Sequence, residues 1–284
     1  MIDVKPQTST TFVSIIKSIL IVFLLFFPVS FIHMFLHEAG HALFNLSQGV
    51  PVYFLYVHPF SFSGYVRPMA DYYQIWQHAS GPVFELLVSV VIFALLWKHR
   101  SFYTLPFLMV FPWVALHEGI GCLFDILVHS GDEYNIILIT GWSATGFYVI
   151  SVILIMVGIF SFITLLPLMG LAPEDKKTLF VLPAGMLLYT AVGLPIAYLF
   201  IPGSPIDMRY HLAHEIIVSS YYRPLLMVST GLLLAAIYVT LYHRVYQRIP
   251  PVLKTETLNL SWRDFWYPGL LFTISIVLGL IIII

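Results

Sequence analysis

Long hydrophobic runs dominate the chain and alternate with short polar stretches. Each run has about 20 residues or more, which is enough to cross a hydrocarbon core of about 30 Å. The runs cover residues 12–46, 74–98, 103–129, 134–170, 178–202, 222–247 and 265–284. This pattern predicts an all-α polytopic membrane protein with about seven transmembrane helices, forming one membrane domain over residues 1–284.

Two of the runs are longer than a straight crossing requires. The first, 12–46, contains Pro28. We expect a single helix there that is kinked near this proline and continues beyond the hydrophobic core. We expect the fourth, 134–170, to begin as an interfacial or partly buried helix.

The segment between the first two runs follows another pattern. Residues 51–67 are rich in β-branched and aromatic side chains, and Pro59 and Gly64 interrupt them. This predicts two short strands in a small β-hairpin-like insertion. Strand backbone cannot face lipid with unpaired polar groups, so we expect the insertion at the interface or enclosed by helices.

The composition agrees with a membrane protein and excludes several other classes. Of the 284 residues, 60% are hydrophobic and only 10% are charged, compared with about 25% charged residues in soluble domains. The net charge is -1, and the basic residues form no patch, so we predict no nucleic-acid partner. Cys122 is the only cysteine, which excludes an intrachain disulfide and a multi-cysteine metal cluster.

The distribution of lysine and arginine predicts the orientation. With seven crossings, nine basic residues lie in loops on the side of the N-terminus and three lie on the opposite side. Because cytoplasmic loops carry the excess of basic residues, the N-terminus is predicted to be cytoplasmic and the C-terminus to lie across the membrane. The cell membrane is the expected location.

An HExxH motif, His37-Glu38-Ala39-Gly40-His41, lies at the end of the first run. On a helix the i, i+4 spacing puts both imidazoles on one face, where they can bind one zinc ion. Glu38 can then take a proton from a zinc-bound water and pass it to a leaving amine. Burying these groups near the bilayer is costly, which favours a functional role over that of a polar helix end.

A catalytic zinc needs a third protein ligand. The leading candidate is Asp132 in Gly131-Asp132-Glu133, at an expected helix start after the third run. This loop and the end of the first run fall on the same side of the membrane. Asp125 is the runner-up ligand, with the alternative role of a carboxylate that orients a zinc-bound histidine.

Three more polar residues lie near these positions. His33, one turn before the motif, is expected to be a hydrogen-bonded packing residue. His117 and Glu118 are expected to form a polar network below the site. Glu118 also remains a less favoured third ligand because it lies deeper in its helix.

These elements resemble the site-2 protease family of intramembrane zinc metalloproteases, which carries HExxH on the first of three core helices. In that family, a strand-rich segment follows the HExxH helix. The second core helix then carries a Gly-Pro, and the third carries a zinc-binding aspartate. Here HExxH, the segment 51–67, Gly81-Pro82 and Asp132 match these elements within residues 30–140, and residues 141–284 add helices without an assigned motif. The Asn-x-x-Pro that commonly precedes the family's aspartate is absent from this chain.

The resemblance implies a membrane-spanning protein substrate, as in regulated intramembrane proteolysis, cut in or near the lipid bilayer. Glu38 would be the general base, and an edge strand would hold the extended peptide. Gly81 and Pro82 would contact the substrate or support the metal ligands. Where the family tends to have an asparagine, this chain has Glu85, which is expected to line a substrate channel or to pair with another helix.

The sequence also leaves three alternative functions open. The first is a non-catalytic membrane zinc-binding protein, although a binder has no need of Glu38. The second is a histidine-box oxidase, suggested by His211, His214 and Glu215 together with the first motif, but such enzymes need more clustered histidines. The third is a transporter, which would have ionisable residues distributed along several helices.

Overall fold

Long helices and a two-stranded sheet make up the described part of the chain. The structure, a computed structural model, describes residues 12–57, 64–68, 75–129, 131–200, 223–242 and 261–281. In chain order the helices are α1 (Phe12–Ser47), α2 (Ile75–Leu96), α3 (Leu105–Val128), α4 (Gly131–Thr140), α5 (Ala144–Ile163), α6 (Thr178–Phe200), α7 (Arg223–Leu241) and α8 (Trp266–Ile281).

Within the described residues, six helices are long and apolar enough to cross a membrane: α1, α2 with the short turn that follows it, α3, α5, α6 and α7. The prediction of a multi-pass membrane protein is therefore confirmed. The seventh predicted run, 265–284, coincides with α8, whose described part has 16 residues. The count of seven crossings stays a prediction.

The first run forms one helix, as expected. With 36 residues, α1 is about 54 Å long at 1.5 Å per residue, well beyond a hydrocarbon core of about 30 Å. It passes through the buried Pro28 and continues beyond the HExxH motif to Ser47.

The fourth run, in contrast, forms two helices, the short α4 and the membrane-spanning α5. Gly141 ends α4 with a positive φ of 67°, a conformation that favours glycine. Ser143 then begins α5 by accepting a hydrogen bond from the backbone N–H of Thr145. The expected partly buried helix at the start of this run is therefore present as α4, and the candidate membrane span itself is Ala144–Ile163. Hydropathy does not register the two capping residues that separate the helices.

Two short strands lie between α1 and α2. Strands β1 (Val52–Val57) and β2 (Gly64–Pro68) pair antiparallel, with Val57 opposite Gly64. Residues 58–63, which include Pro59, lie outside the described residues. Leu55 and Val57 are buried against Phe31 and Ala42 of α1. The sheet thus packs directly on the helix that carries the motif.

Aromatic side chains around α1 form the centre of the core. The ring of Phe26 packs against Trp113 of α3 at 5.1 Å between centroids and against Phe162 of α5 at 6.2 Å. Phe27 packs against Tyr189 of α6 at 4.8 Å. Buried aromatic contacts of this kind give α1 a fixed position among its neighbours, and therefore fix the motif at its end.

Candidate metal centre

Two histidines of α1 and one aspartate of α4 meet at a single point. Nε2 of His37 lies 3.1 Å from Nε2 of His41, and Oδ2 of Asp132 lies 3.4 Å and 3.3 Å from these two nitrogens. The three side chains form one of the groups whose ligand atoms are close enough to share a metal ion. Of the three carboxylates considered as third ligand, Asp132 is therefore the one grouped with both histidines of the motif. Glu118 is grouped with His37 and Glu85 in a second set, which does not include His41.

The spacing of these three atoms fits zinc. Zinc bonds to imidazole nitrogen and carboxylate oxygen are about 2.0–2.2 Å, and tetrahedral ligands around such an ion lie about 3.3 Å apart. The observed separations of 3.1 to 3.4 Å match that value. Three protein donors also leave the fourth tetrahedral position open, as in catalytic zinc sites.

The other ring nitrogen of each histidine already has a hydrogen-bond partner. Nδ1 of His41 donates to the backbone carbonyl of Gln77 at 2.6 Å, and Nδ1 of His37 lies 3.3 Å from Oε1 of Glu85. A proton on Nδ1 leaves the lone pair of a neutral imidazole on Nε2. This is the tautomer that a metal bound at Nε2 requires, and partners of this type orient metal-binding histidines.

Asp132 lies in the first turn of α4, where the helix dipole favours a negative charge. Nδ1 of His78, from α2, donates to its Oδ1 at 2.8 Å. Burial alone would raise the pKa of Asp132, but its interactions with the side chains of His37, His41 and His78 outweigh burial and hold that pKa well below its usual value. The side chain is therefore a carboxylate at neutral pH, as a zinc ligand must be.

Glycines allow α1 and α2 to approach each other beside the histidines. A Cβ atom at Gly81 would overlap the imidazole of His41, and one at Gly40 would press on the backbone of Ser80. Small residues at such crossings are typical of packed membrane helices. Pro82 follows inside α2 and, lacking an N–H, cannot bond the carbonyl of His78 one turn earlier.

Glu38 follows His37 on α1 and is 6% exposed. Among the described residues, no hydrogen bond holds its carboxylate. Its position next to a candidate ligand, without a structural hydrogen bond, suits a group that accepts and returns a proton.

Glu85 pairs with α1, which was one of its two expected roles. It is fully buried, and its Oε2 accepts a hydrogen bond from Nδ1 of His33 at 2.7 Å, while Oε1 faces His37. On α3, Nδ1 of His117 lies 3.3 Å from Glu118, and the His33 and His117 rings are 4.3 Å apart. A buried polar network therefore lies below the candidate metal centre, with Glu85 connecting the two.

Asp125 lies outside the triangle of candidate ligands. Its carboxylate occupies the space where a Cβ atom of Gly131 would lie, and Gly131 has a positive φ of 85°. The Asp125 carboxyl group also forms a hydrogen bond with Glu133. Burial and the nearby charge of Glu118 raise the pKa of Glu133 to about 7, although the bond with Asp125 lowers it. Its contacts place Asp125 as a support of the turn that presents Asp132.

The sequence interpretation missed His78 as a partner of Asp132, since a single histidine in a hydrophobic helix gives no pairing signal. It also missed a short similarity between α1 and α3. Leu-His-Glu at 36–38 recurs at 116–118, and Leu-Phe at 43–44 recurs at 123–124. Each copy brings a His-Glu pair to the buried polar region.

The described residues thus combine two imidazole nitrogens, an ionised carboxylate and a free acidic group at one end of α1. Such a set can hold a divalent cation and move a proton beside it. His211, His214 and Glu215 lie outside the described residues. Comparison with protein-family models, curated proteins and solved structures gives no match to this chain.

Proposed function

We propose that this chain is an intramembrane zinc metalloprotease, which hydrolyses a peptide bond of a membrane-protein substrate in or near the bilayer. One observation carries the proposal: His37 and His41 present their Nε2 atoms to Oδ2 of Asp132 at the separations of zinc ligands. Glu38 stands beside them. The resemblance of residues 30–140 to site-2 proteases supports the same reaction.

Each residue of the site has a distinct role in this proposal. His37, His41 and Asp132 would hold one Zn²⁺, which supplies a Lewis acid for the scissile carbonyl and lowers the pKa of the attacking water. Glu38 takes the proton of that water and passes it to the leaving nitrogen. Glu85 keeps the His37 ring in its orientation through Nδ1.

The sheet of β1 and β2 offers a place for the substrate backbone. A peptide must leave its helical conformation before a carbonyl can be attacked, and an extended peptide can pair with the edge of a strand. Leu55 and Val57 anchor β1 against α1, which carries the motif.

The proposal includes seven crossings and a cytoplasmic N-terminus. With this orientation, the metal site lies towards the non-cytoplasmic side of the membrane.

The experiment compares wild type with Glu38→Gln in proteoliposomes. Single-span reporter peptides carry a fluorophore and a quencher on either side of the span, and zinc is measured in the same samples. We expect wild type to bind about one zinc per chain and to cleave a reporter until a zinc chelator is added. Glu38→Gln should keep its zinc and cleave at least about 100-fold more slowly, since a general base contributes about 10²–10⁴-fold.

Two outcomes would reject the proposal in different ways. A Glu38→Gln variant that holds zinc and cleaves at the wild-type rate would contradict the role of Glu38. Zinc bound by both proteins without cleavage of any reporter would favour the non-catalytic zinc-binding protein instead.

A further inference from the structure

Helix α2 supplies a hydrogen-bond partner to each of the three candidate zinc ligands. For the two histidines of α1, the partners are the backbone carbonyl of Gln77 and the carboxylate of Glu85. For Asp132 of α4, the partner is the imidazole of His78. Because Gln77 acts through its backbone, Glu85 and His78 are the side chains of α2 that orient ligands in these three contacts.

The spacing of these residues places them on one face of α2. His78, Gly81 and Glu85 lie at positions i, i+3 and i+7 of the helix, which share a face. A Cβ atom at Gly81 would overlap the imidazole of His41, so this face packs directly against α1. His78 lies one turn before Gly81 and is the residue of this face that contacts Asp132.

The two carboxylate oxygens of Asp132 have different neighbours. Oδ2 lies 3.4 Å from Nε2 of His37 and 3.3 Å from Nε2 of His41. Oδ1 accepts a hydrogen bond from Nδ1 of His78 at 2.8 Å. Hydrogen bonds to an ionised carboxylate are stronger than those between neutral groups. One oxygen therefore faces the candidate metal position, while α2 holds the other.

The backbone of α4 does not by itself decide which oxygen faces the histidines. The torsion about the Cβ–Cγ bond of an aspartate has broad preferences, and carboxylates bind metal ions through one oxygen or through both. A catalytic zinc has three protein ligands and one open position. A second oxygen from Asp132 would crowd that open position, so the bond that holds Oδ1 has a consequence for the metal.

We propose that His78 is a positioning residue, which holds Oδ1 of Asp132 so that this aspartate binds the metal through Oδ2 alone. The fourth position of the ion then stays open for water. His78 acts through Asp132, as hydrogen-bond partners of metal-binding carboxylates do. The inference rests on the metal site of the proposed function.

Two substitutions of the same residue separate the hydrogen bond from the fold. His78→Leu removes the donor, whereas His78→Asn keeps one, because the amide nitrogen of asparagine takes the place of Nδ1. Chelator competition should show zinc binding about 10–100-fold weaker in His78→Leu, and within about threefold of wild type in His78→Asn. His99→Leu, at an exposed histidine after α2, is the control and should bind zinc like wild type.

Cobalt(II) in place of zinc reports the number of ligands. A four-coordinate cobalt ion absorbs visible light more strongly than a five-coordinate one. Wild type and His78→Asn should give the strong absorption of three protein ligands and a water. His78→Leu should lose absorption per bound ion, since the second oxygen of Asp132 becomes a further ligand. A merely structural effect would lower the amount of bound cobalt and leave the absorption of each bound ion unchanged.

Wild type alone can contradict the proposal, even if His78→Leu fails to fold. A five-coordinate cobalt spectrum, or two oxygens of Asp132 bonded to zinc by X-ray absorption, would overturn it. Unchanged affinity and absorption in a folded His78→Leu variant would overturn it too, and so would equal losses in both variants.

Failure of this inference can be told apart from failure of the proposed function. A wild type that binds no metal would overturn both. Metal binding with the expected spectra, but without cleavage of any reporter, would support the role of His78 and reject only the protease.

Discussion

Oε1 of Glu85 lies 3.3 Å from Nδ1 of His37, and the Nε2 atom of the same ring faces Asp132. One buried carboxylate of α2 thus orients a candidate metal ligand of α1. The second oxygen of Glu85 accepts the hydrogen bond of His33, which in turn fixes the carboxylate. The orientation of the metal ligand therefore depends on a contact between two helices.

Replacing Glu85 by glutamine should weaken zinc binding by about 10–100-fold, because the amide holds the His37 ring less firmly and adds no negative charge. Chelator competition on purified protein measures the affinity. Glu174→Gln, at an exposed position, is the control and should bind zinc like wild type. An unchanged affinity in the Glu85 variant would show that its carboxylate does not support the metal site.

The choice between the two aspartates can be tested directly. Asp132→Asn removes a proposed zinc ligand and should lower zinc affinity by at least about 100-fold, since three protein ligands hold the ion. Asp125→Asn changes a residue that contacts Gly131 and Glu133, and its effect should be at least tenfold smaller. The reverse order would make Asp125 the ligand.

Replacing Gly131 by alanine should weaken zinc binding more than the same replacement at Gly141. Gly131 and Gly141 both have a positive φ, so each alanine pays about 1–2 kcal/mol of backbone strain. Only at Gly131 would the new Cβ overlap a side chain, that of Asp125. We expect Gly131→Ala to displace Asp132 and to bind zinc at least about tenfold more weakly than Gly141→Ala.

The difference between these two variants isolates the steric effect. Thermal unfolding of both, recorded with and without zinc, separates a loss of fold from a loss of metal. Equal zinc affinities would indicate that the turn has no part in placing Asp132.

Removing zinc should lower the unfolding temperature of the wild type, because a ligand that binds only the folded state stabilises it. The gain is about 2.7 kcal/mol at a free zinc concentration 100 times the Kd. The same chelator should have almost no effect on the Asp132→Asn variant. If both proteins lose the same thermal stability, the chelator acts on a different site.

Part of this architecture follows from the sequence alone. Hydropathy predicts the membrane-spanning helices because each must present an apolar surface to lipid. The i, i+4 spacing of His37 and His41 predicts their common face, and the number of crossings between α1 and α4 predicts that Asp132 lies at the same end. The glycine and serine that separate α4 from α5 were visible, but an averaged hydropathy profile does not resolve them.

Other features depend on how the helices pack, which the sequence does not encode locally. The partners of Glu85 depend on the approach of α1 and α2 at Gly40 and Gly81. His78 reaches Asp132 only because α4 begins beside α2.

X-ray absorption at the zinc edge of the purified, zinc-loaded protein tests the central claim most directly. We predict one zinc per chain, with two imidazole nitrogens and one carboxylate oxygen about 2.0–2.2 Å from the metal. His37→Ala and Asp132→Ala should each lose the ion. A wild-type protein that binds no zinc, or variants that retain it with an unchanged spectrum, would contradict the assignment of His37, His41 and Asp132 as its ligands.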